Sequence, residues 1–282
     1  MNIKHVGVVG AGQMGSGIAQ VCALAGLNVR LFDQNKQAVE RGFAVIKTSL
    51  ERLQAKEKIT AEELAGVLSR IELITEIEAL ATVDIAIEAA TEVEAIKQVI
   101  FKDLDRVCQP QAILATNTSS ISITRLAAAT QRPGKVIGMH FMNPVPMMQL
   151  VEVIRALQTD DAVFEQVTEM ARFIGKTPVD VKDAPGFVAN RILLPMINEA
   201  VFTLYEGLAS AEEIDTVMKL GMGHPMGPLA LADLIGLDTC LSILGVLYEG
   251  FSDSKYRPCP LLKQMVDAGY LGRKSGRGFF TY

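Results

Sequence analysis

Val6-Gly7-Val8-Val9 runs directly into Gly10-Ala11-Gly12-Gln13-Met14-Gly15, and that loop into the Ile-, Ala- and Val-rich stretch 18–25. The order is strand, tight loop, helix, which opens a βαβ unit. In such a loop the first glycine permits the turn, the second lets backbone approach a pyrophosphate, and the third lets helix and strand pack closely. The helix N-terminus favours the negative charge. Gly10, Gly12, Gln13, Met14 and Gly15 are therefore expected to contact a dinucleotide, the alternative being a structural turn. Gly26 ends the helix, 29–32 forms a second strand, and Asp33 follows Gly15 by 18 residues. That spacing suits an acid that accepts hydrogen bonds from an adenosine ribose and repels a 2′-phosphate. NAD is expected over NADP, with Arg30 and Lys36 leaving room for NADP tolerance. A solvated strand-end carboxylate is the other reading of Asp33.

From Lys36 to about Lys58 there is no proline, and Val39, Phe43, Ile46, Leu50 and Leu53 recur at helical spacing. One long helix is predicted. Thr60 with Glu63 reads as a capping box opening another. Strand-like runs follow at 83–90, 112–116, 136–141 and 177–181, with helical stretches between most of them. This alternation implies a doubly wound, mostly parallel sheet. Beyond Pro185 the pattern changes to Leu-, Met- and Ala-rich helical segments divided by loops such as 221–228 (GMGHPMGP). The 282 residues thus divide into a Rossmann-type α/β domain, 1–184, and an all-α domain, 185–282. The second carries more apolar side chains than a domain of its size hides alone, so a homodimer is expected to form through it.

Composition removes several classes of function. Cys22, Cys108, Cys240 and Cys259 are far apart, and His5, His140 and His224 have no ligand spacing, so no metal is implied. The cysteines read as reduced, buried thiols and His224 as structural. A net charge of −5 argues against nucleic acid as the main partner. No apolar run approaches the roughly 18–20 residues of a membrane span, and the start lacks a signal-peptide pattern. A cytoplasmic protein without a membrane partner is expected.

The chemistry-bearing residues gather at predicted strand ends. After the 83–90 strand come Glu92 and Lys97, which either touch a nicotinamide ribose or form a helix-start acid and a surface lysine. Asn117-Thr118-Ser119-Ser120 ends the next strand and serves either the site or the cap of the following helix. His140 ends another, and twelve residues on Glu152 lies in the apolar run Leu150-Val151-Glu152-Val153-Ile154. An unpaired carboxylate there costs several kcal/mol, on the order of a buried charge, and pairing with His140 satisfies it and orients the imidazole for proton transfer. Arg155 is the competing partner. Lys47, Arg52, Lys56 and Lys58 offer cations to phosphates from one helix and its end, or simply solvate it.

Over nearly its whole length the sequence resembles the L-3-hydroxyacyl-CoA dehydrogenase family, and especially its short bacterial members acting on 3-hydroxybutyryl-CoA. The resemblance rests on 7–15 (GVVGAGQMG), 117–120 (NTSS), 140–146 (HFMNPVP), 150–153 (LVEV), 184–191 (APGFVANR), 224–238 (HPMGPLALADLIGLD) and 271–280 (LGRKSGRGFF). It implies His140 as catalytic acid/base, Glu152 as its partner, and Ser119 and Asn190 as the groups on the substrate oxygens. Asn143 would support the same pocket, and with Asn117, Glu92 and Lys97 it is expected to contact the cofactor. The region of Ser49 and Lys56 would meet the CoA moiety, and the helical domain would close over the substrate and dimerise. Met142 stands where the family often has an aromatic residue, which leaves acyl-chain preference open.

The resemblance implies hydride transfer between C3 of an acyl-CoA and NAD, with no metal. A non-catalytic dinucleotide-binding relative, of the lens-crystallin kind, is disfavoured by retention of His140, Glu152 and Asn190. A dehydrogenase of free hydroxy acids uses a catalytic lysine at the interdomain helix, a pattern that the run around Asn190 does not match.

Overall fold

The chain enters β1 (His5–Val9), whose Val6, Val8 and Val9 are buried, and passes through the glycine loop into α1 (Gln13–Leu24). There follow β2 (Asn28–Phe32), α2 (Lys36–Ala55), α3 (Ala61–Ser69), β3 (Ile71–Ile74), β4 (Ile85–Glu88), α4 (Glu94–Val107) and β5 (Ile113–Thr116). Then come α5 (Ile123–Ala128), β6 (Val136–Phe141), β7 (Leu150–Arg155), α6 (Asp161–Phe173) and β8 (Thr177–Lys182). This computed structural model describes residues 2–282, and its contacts divide the chain into two units, the first running to Asp183 and the second from Ala184 to Tyr282.

The eight strands form one sheet in the order β3-β2-β1-β4-β5-β6-β7-β8. The chain winds outward from β1 to β3, then crosses to the other side of β1 and enters β4. The crevice over the carboxyl ends of β1 and β4 is therefore the topological switch point, where such sheets bind ligands. Val9 and Glu88 are register partners there. β1 to β6 are parallel, β7 is antiparallel to β6, and β8 is parallel to β7. A loop without a helix, 142–149, joins β6 to β7, which is what an antiparallel pair permits and a parallel pair does not. The expected doubly wound, mostly parallel sheet is present. So are the long helix α2 and the Thr60/Glu63 capping box. β3 is an addition: its four residues, with exposed Glu72 and Leu73 between buried Ile71 and Ile74, are too few to show a period.

The second unit comprises α7 (Ala189–Tyr205), α8 (Ala211–Gly221), α9 (Pro228–Ile235), α10 (Leu237–Phe251) and α11 (Pro260–Asp267) around Leu194, Ile197, Val201, Leu229, Leu244 and Leu247. Two buried aspartates organise it. Asp215 accepts the N–H groups of Leu229 and Ala230, both at 2.9 Å, at the start of α9. Asp233 accepts those of Phe279 and Phe280 at 2.9 Å and the Tyr282 hydroxyl at 3.1 Å, so it moors the last turns of the chain. All four cysteines are buried and free, and burial pushes the Cys22 and Cys240 thiols up to about 12. Among the described residues, no single helix is long and apolar enough to cross a membrane.

Asp233→Ala leaves the partly buried N–H groups of Phe279 and Phe280 without this acceptor, at roughly 1–3 kcal/mol each. The expected result is a loss of about 2–5 kcal/mol of unfolding free energy in urea, with the C-terminal segment becoming protease-sensitive.

Candidate active site

The glycine loop is built for close approach. Gly10 has φ +100°, and a Cβ there would fall 2.6 Å from Ala90 Cα, while one at Gly15 would overlap the Gly10 carbonyl oxygen. At Gly12 a Cβ would meet nothing within 4 Å, so it would project into open space at the mouth of α1. No side chain caps that helix and its first turn holds no acid, so its N–H groups face the crevice without a competing anion. This cradle fits a dinucleotide pyrophosphate. Asp33, just past β2 and half-buried, accepts the N–H groups of Ala11 and Asn35, each at 3.1 Å. Two such bonds leave a carboxylate lone pairs for ribose hydroxyls. Arg30, in contrast, is committed to Glu72, the Ala79 carbonyl and Thr82, so its expected share in NADP tolerance is withdrawn. Lys36 is exposed and only loosely paired with Glu40, at 3.9 Å.

Glu92 and the 117–120 turn prove to be one structure. One Glu92 oxygen, Oε1, accepts from the Thr118 hydroxyl (2.6 Å), the Ser119 N–H (2.8 Å) and hydroxyl (3.0 Å), and the Ser120 N–H and hydroxyl (both 3.1 Å). The cap of α5 falls instead to Ser122, which accepts the Arg125 N–H. Asn117 Oδ1 accepts the Phe141 N–H at 2.8 Å and ties the end of β5 to the end of β6. Lys97 is not a surface lysine: it is 1% exposed, donates to Glu88 and stands 3.7 Å from Glu92. Sequence reasoning did not single out Glu88. Like Glu152, it is an acid in an apolar run and needs a partner when buried.

His140 and Glu152 are register partners across β6 and β7. Directly opposed residues of an antiparallel pair place their side chains on the same face, within reach of each other. Nδ1 of the imidazole lies 2.8 Å from Glu152 Oε2, both residues being buried. Arg155 is no rival, since residues three apart on a strand point to opposite faces. It pairs with Asp161 and Asp180. In the loop after β6, Asn143 Oδ1 accepts from Gln13 Nε2 at 3.0 Å, joining that loop to the glycine loop. A second unforeseen residue, Lys176, is buried beneath the loop and donates to the carbonyls of Val145 and Met148. Burial lowers its ammonium from the usual lysine range.

Ser49 is half-buried and Lys56 exposed on and just past α2, where positions 49, 52 and 56 share a face that aligns Ser49, Arg52 and Lys56. Asn190 stands in the first turn of α7, its N–H on the Gly186 carbonyl at 3.1 Å. Among the described residues, no three His, Cys, Asp or Glu side chains cluster as metal ligands would.

A glycine-cradled switch point, an acid just past β2 and a buried His–Glu pair fit a nicotinamide-dependent oxidoreductase. Residues 5–184 match the model of the NAD-binding domain of 3-hydroxyacyl-CoA dehydrogenases, and 186–282 that of their C-terminal domain. The chain is 58% identical over 282 residues to a probable 3-hydroxybutyryl-CoA dehydrogenase of Bacillus subtilis, covering 100% of this chain and 98% of the relative. It is 57% identical over 280 residues to the 3-hydroxybutyryl-CoA dehydrogenase of Bradyrhizobium diazoefficiens, covering 99% of this chain and 96% of the relative. The crystal structure of an (S)-3-hydroxybutyryl-CoA dehydrogenase from Ralstonia eutropha superposes with a TM-score of 0.98 at 56% identity, covering 100% of this chain and 99% of that one. The chain belongs to the 3-hydroxyacyl-CoA dehydrogenase family, whose members bind NAD.

Asp33→Ser removes the charge at the strand end where an adenosine ribose is expected. KM for NADH is expected to rise roughly tenfold or more while KM for NADPH falls or holds, narrowing the preference. An unchanged ratio of kcat/KM for the two cofactors would remove Asp33 from that role.

Proposed function

We propose that this chain interconverts L-3-hydroxybutyryl-CoA and acetoacetyl-CoA, with His140 and Glu152 as the acid/base pair. The observation that carries the reading is the 2.8 Å contact between His140 Nδ1 and Glu152 Oε2 on paired strands of the sheet that bears the dinucleotide cradle. Nδ1 is committed to the carboxylate, so the proton exchanged with the substrate is assigned to Nε2. In oxidation the imidazole takes the C3 hydroxyl proton as C3 loses its hydride, and Glu152 stabilises the cation so formed. NAD, when bound, supplies the hydride acceptor. In reduction the same imidazolium returns the proton to the developing alkoxide.

Ser119 is proposed to hold the reacting oxygen by turning its hydroxyl proton from Glu92 to the substrate, its N–H remaining on that carboxylate. Asn190 is assigned the second polar contact to substrate on the family resemblance. Asn117, Asn143, Glu92 and Lys97 are assigned to the cofactor side, Asn143 through the loop it shares with Gln13. Ser49 and Lys56, with Arg52 on the same helix face, are assigned to the phosphates of CoA. Ile192, Leu220 and Met222 are 65%, 83% and 64% exposed in the helical unit, and we assign this apolar surface to a homodimer. The cytoplasm is the proposed compartment.

The CoA handle is the discriminating test of substrate class. If phosphate and pantetheine contacts are used to position the acyl group, kcat/KM for acetoacetyl-CoA with NADH should exceed that for free acetoacetate by about 10²-fold or more. A short pantetheine thioester should fall between them. Equal values for all three would overturn the acyl-CoA reading.

A further inference from the structure

Glu88 ends β4 at the switch point and is 0% exposed, yet no role described so far uses it. Both of its oxygens are employed. Oε1 accepts the Ala90 N–H at 2.8 Å, and Oε2 accepts the Lys97 ammonium and, at 2.8 Å, the Thr116 hydroxyl. Register places Glu88 beside Val9 of β1 and beside Thr116 of β5, so it joins the ends of three adjacent strands. Lys97 reaches it from α4, and the same ammonium stands 3.7 Å from Glu92 Oε2. The other Glu92 oxygen gathers the hydroxyl and N–H of Ser119. A continuous line of polar contacts thus runs from Thr116 through Glu88, Lys97 and Glu92 to Ser119.

A buried ion pair does little for net stability, because well-packed apolar replacements are often neutral or better. What it does supply is a fixed charge at a fixed place. Here the ammonium is held on the Glu88 side, at normal hydrogen-bonding range or closer, and remains just outside that range of Glu92. Glu92 is drawn by one oxygen toward the buried cation while its other oxygen is directed at the 118–120 turn. Without Glu88, Lys97 would be a buried cation whose nearest carboxylate is Glu92, and it would pull that side chain away from the turn.

We propose, on the assignment of Ser119 and Glu92 to substrate and cofactor made above, that Glu88 is a positioning residue: through Lys97 it sets the orientation of Glu92, and through Glu92 the place of the Ser119 hydroxyl and of the surface met by the nicotinamide end of the dinucleotide. Glu88 itself touches neither ligand. Its influence is felt in the geometry of groups that do, where a displacement of about 1 Å costs on the order of 10²-fold in rate.

The test separates positioning from mere support of the fold. Glu88→Leu combined with Lys97→Met replaces the pair by apolar side chains of similar size. Its Tm should lie within a few degrees of the unaltered enzyme, while kcat for acetoacetyl-CoA reduction falls about 10²-fold and the Kd for NADH, read by fluorescence, rises roughly tenfold. A second set of variants needs no such repacking. Glu88→Gln keeps the shape of the side chain and Glu92 is half-exposed, so Glu88→Gln, Glu92→Gln and their combination form a cycle. If Glu88 acts through Glu92, the combination should be no worse than the poorer single variant in kcat and in NADH binding. Full kcat and full NADH affinity in the apolar pair, or effects that multiply in the cycle, would overturn the proposal. NADH binding by Glu88→Gln, which leaves Lys97 in place, requires no acyl-CoA and so decides the positioning question independently, whereas failure of the unaltered enzyme to turn over acetoacetyl-CoA would count against the substrate assignment.

Discussion

The antiparallel register of β6 and β7 is the constraint on which the catalytic reading depends. It places His140 opposite Glu152 within an apolar sheet, where the buried carboxylate needs a partner and the imidazole supplies one. The pairing is a consequence of topology. Had the chain crossed from β6 to its neighbour through a helix, as it does among the first strands, the next strand would have entered parallel and the two residues would not face each other in this way. The helix-free loop 142–149 reverses the direction instead. That loop is itself held in place, from below by Lys176 and from the side by the Asn143–Gln13 bond to the glycine loop. One connection therefore joins the His140–Glu152 pair to the glycine loop.

Acidic groups at the carboxyl edge of the sheet are each fastened by donors rather than left to repel one another. Asp33 holds two backbone N–H groups, Glu88 holds an ammonium and a hydroxyl, Glu92 holds a serine- and threonine-rich turn, and Glu152 holds an imidazole. A ligand carrying phosphates arrives at a surface whose negative charges are already occupied, and meets the uncapped start of α1. The arrangement is preorganised in the sense that matters for rate: donors and acceptors stand in their places before the substrate binds.

Much of this was legible in the sequence, for reasons that can be named. The glycine loop and the place of Asp33 just past β2 could be read because backbone clearance and strand-end position leave residue-type signatures at a set spacing. The His140–Glu152 pair could be read because a lone acid in LVEVI demands a partner and an imidazole stood at a neighbouring strand end. Lys97 resisted reading: a lysine in the first turns of a helix is usually solvated, and only the way α4 folds back on the end of β4 shows that it is buried on Glu88. β3 is too short to have a period, and the Glu92 clasp on Ser119 depends on the adjacency of β4 and β5, which spacing along the chain does not disclose. Arg30, expected to leave room for NADP, is instead engaged by Glu72, Ala79 and Thr82, partners from segments far along the chain that spacing does not disclose.

The central claim is that His140 and Glu152 act as one unit held by the sheet, and a kinetic double-mutant cycle tests it most directly. His140→Gln and Glu152→Gln, each preserving size, are measured singly and together for reduction of acetoacetyl-CoA by NADH. Loss of a positioned acid/base group lowers kcat by roughly 10²- to 10⁴-fold, and the account predicts a fall in that span for His140→Gln, a comparable or smaller one for Glu152→Gln, and little change in KM. With His140 gone Glu152 has no imidazole to orient, so the double variant should be scarcely slower than His140→Gln alone. Multiplying effects, or near-normal kcat in Glu152→Gln, would show that the two residues work apart and that the contact between them is only an element of the fold.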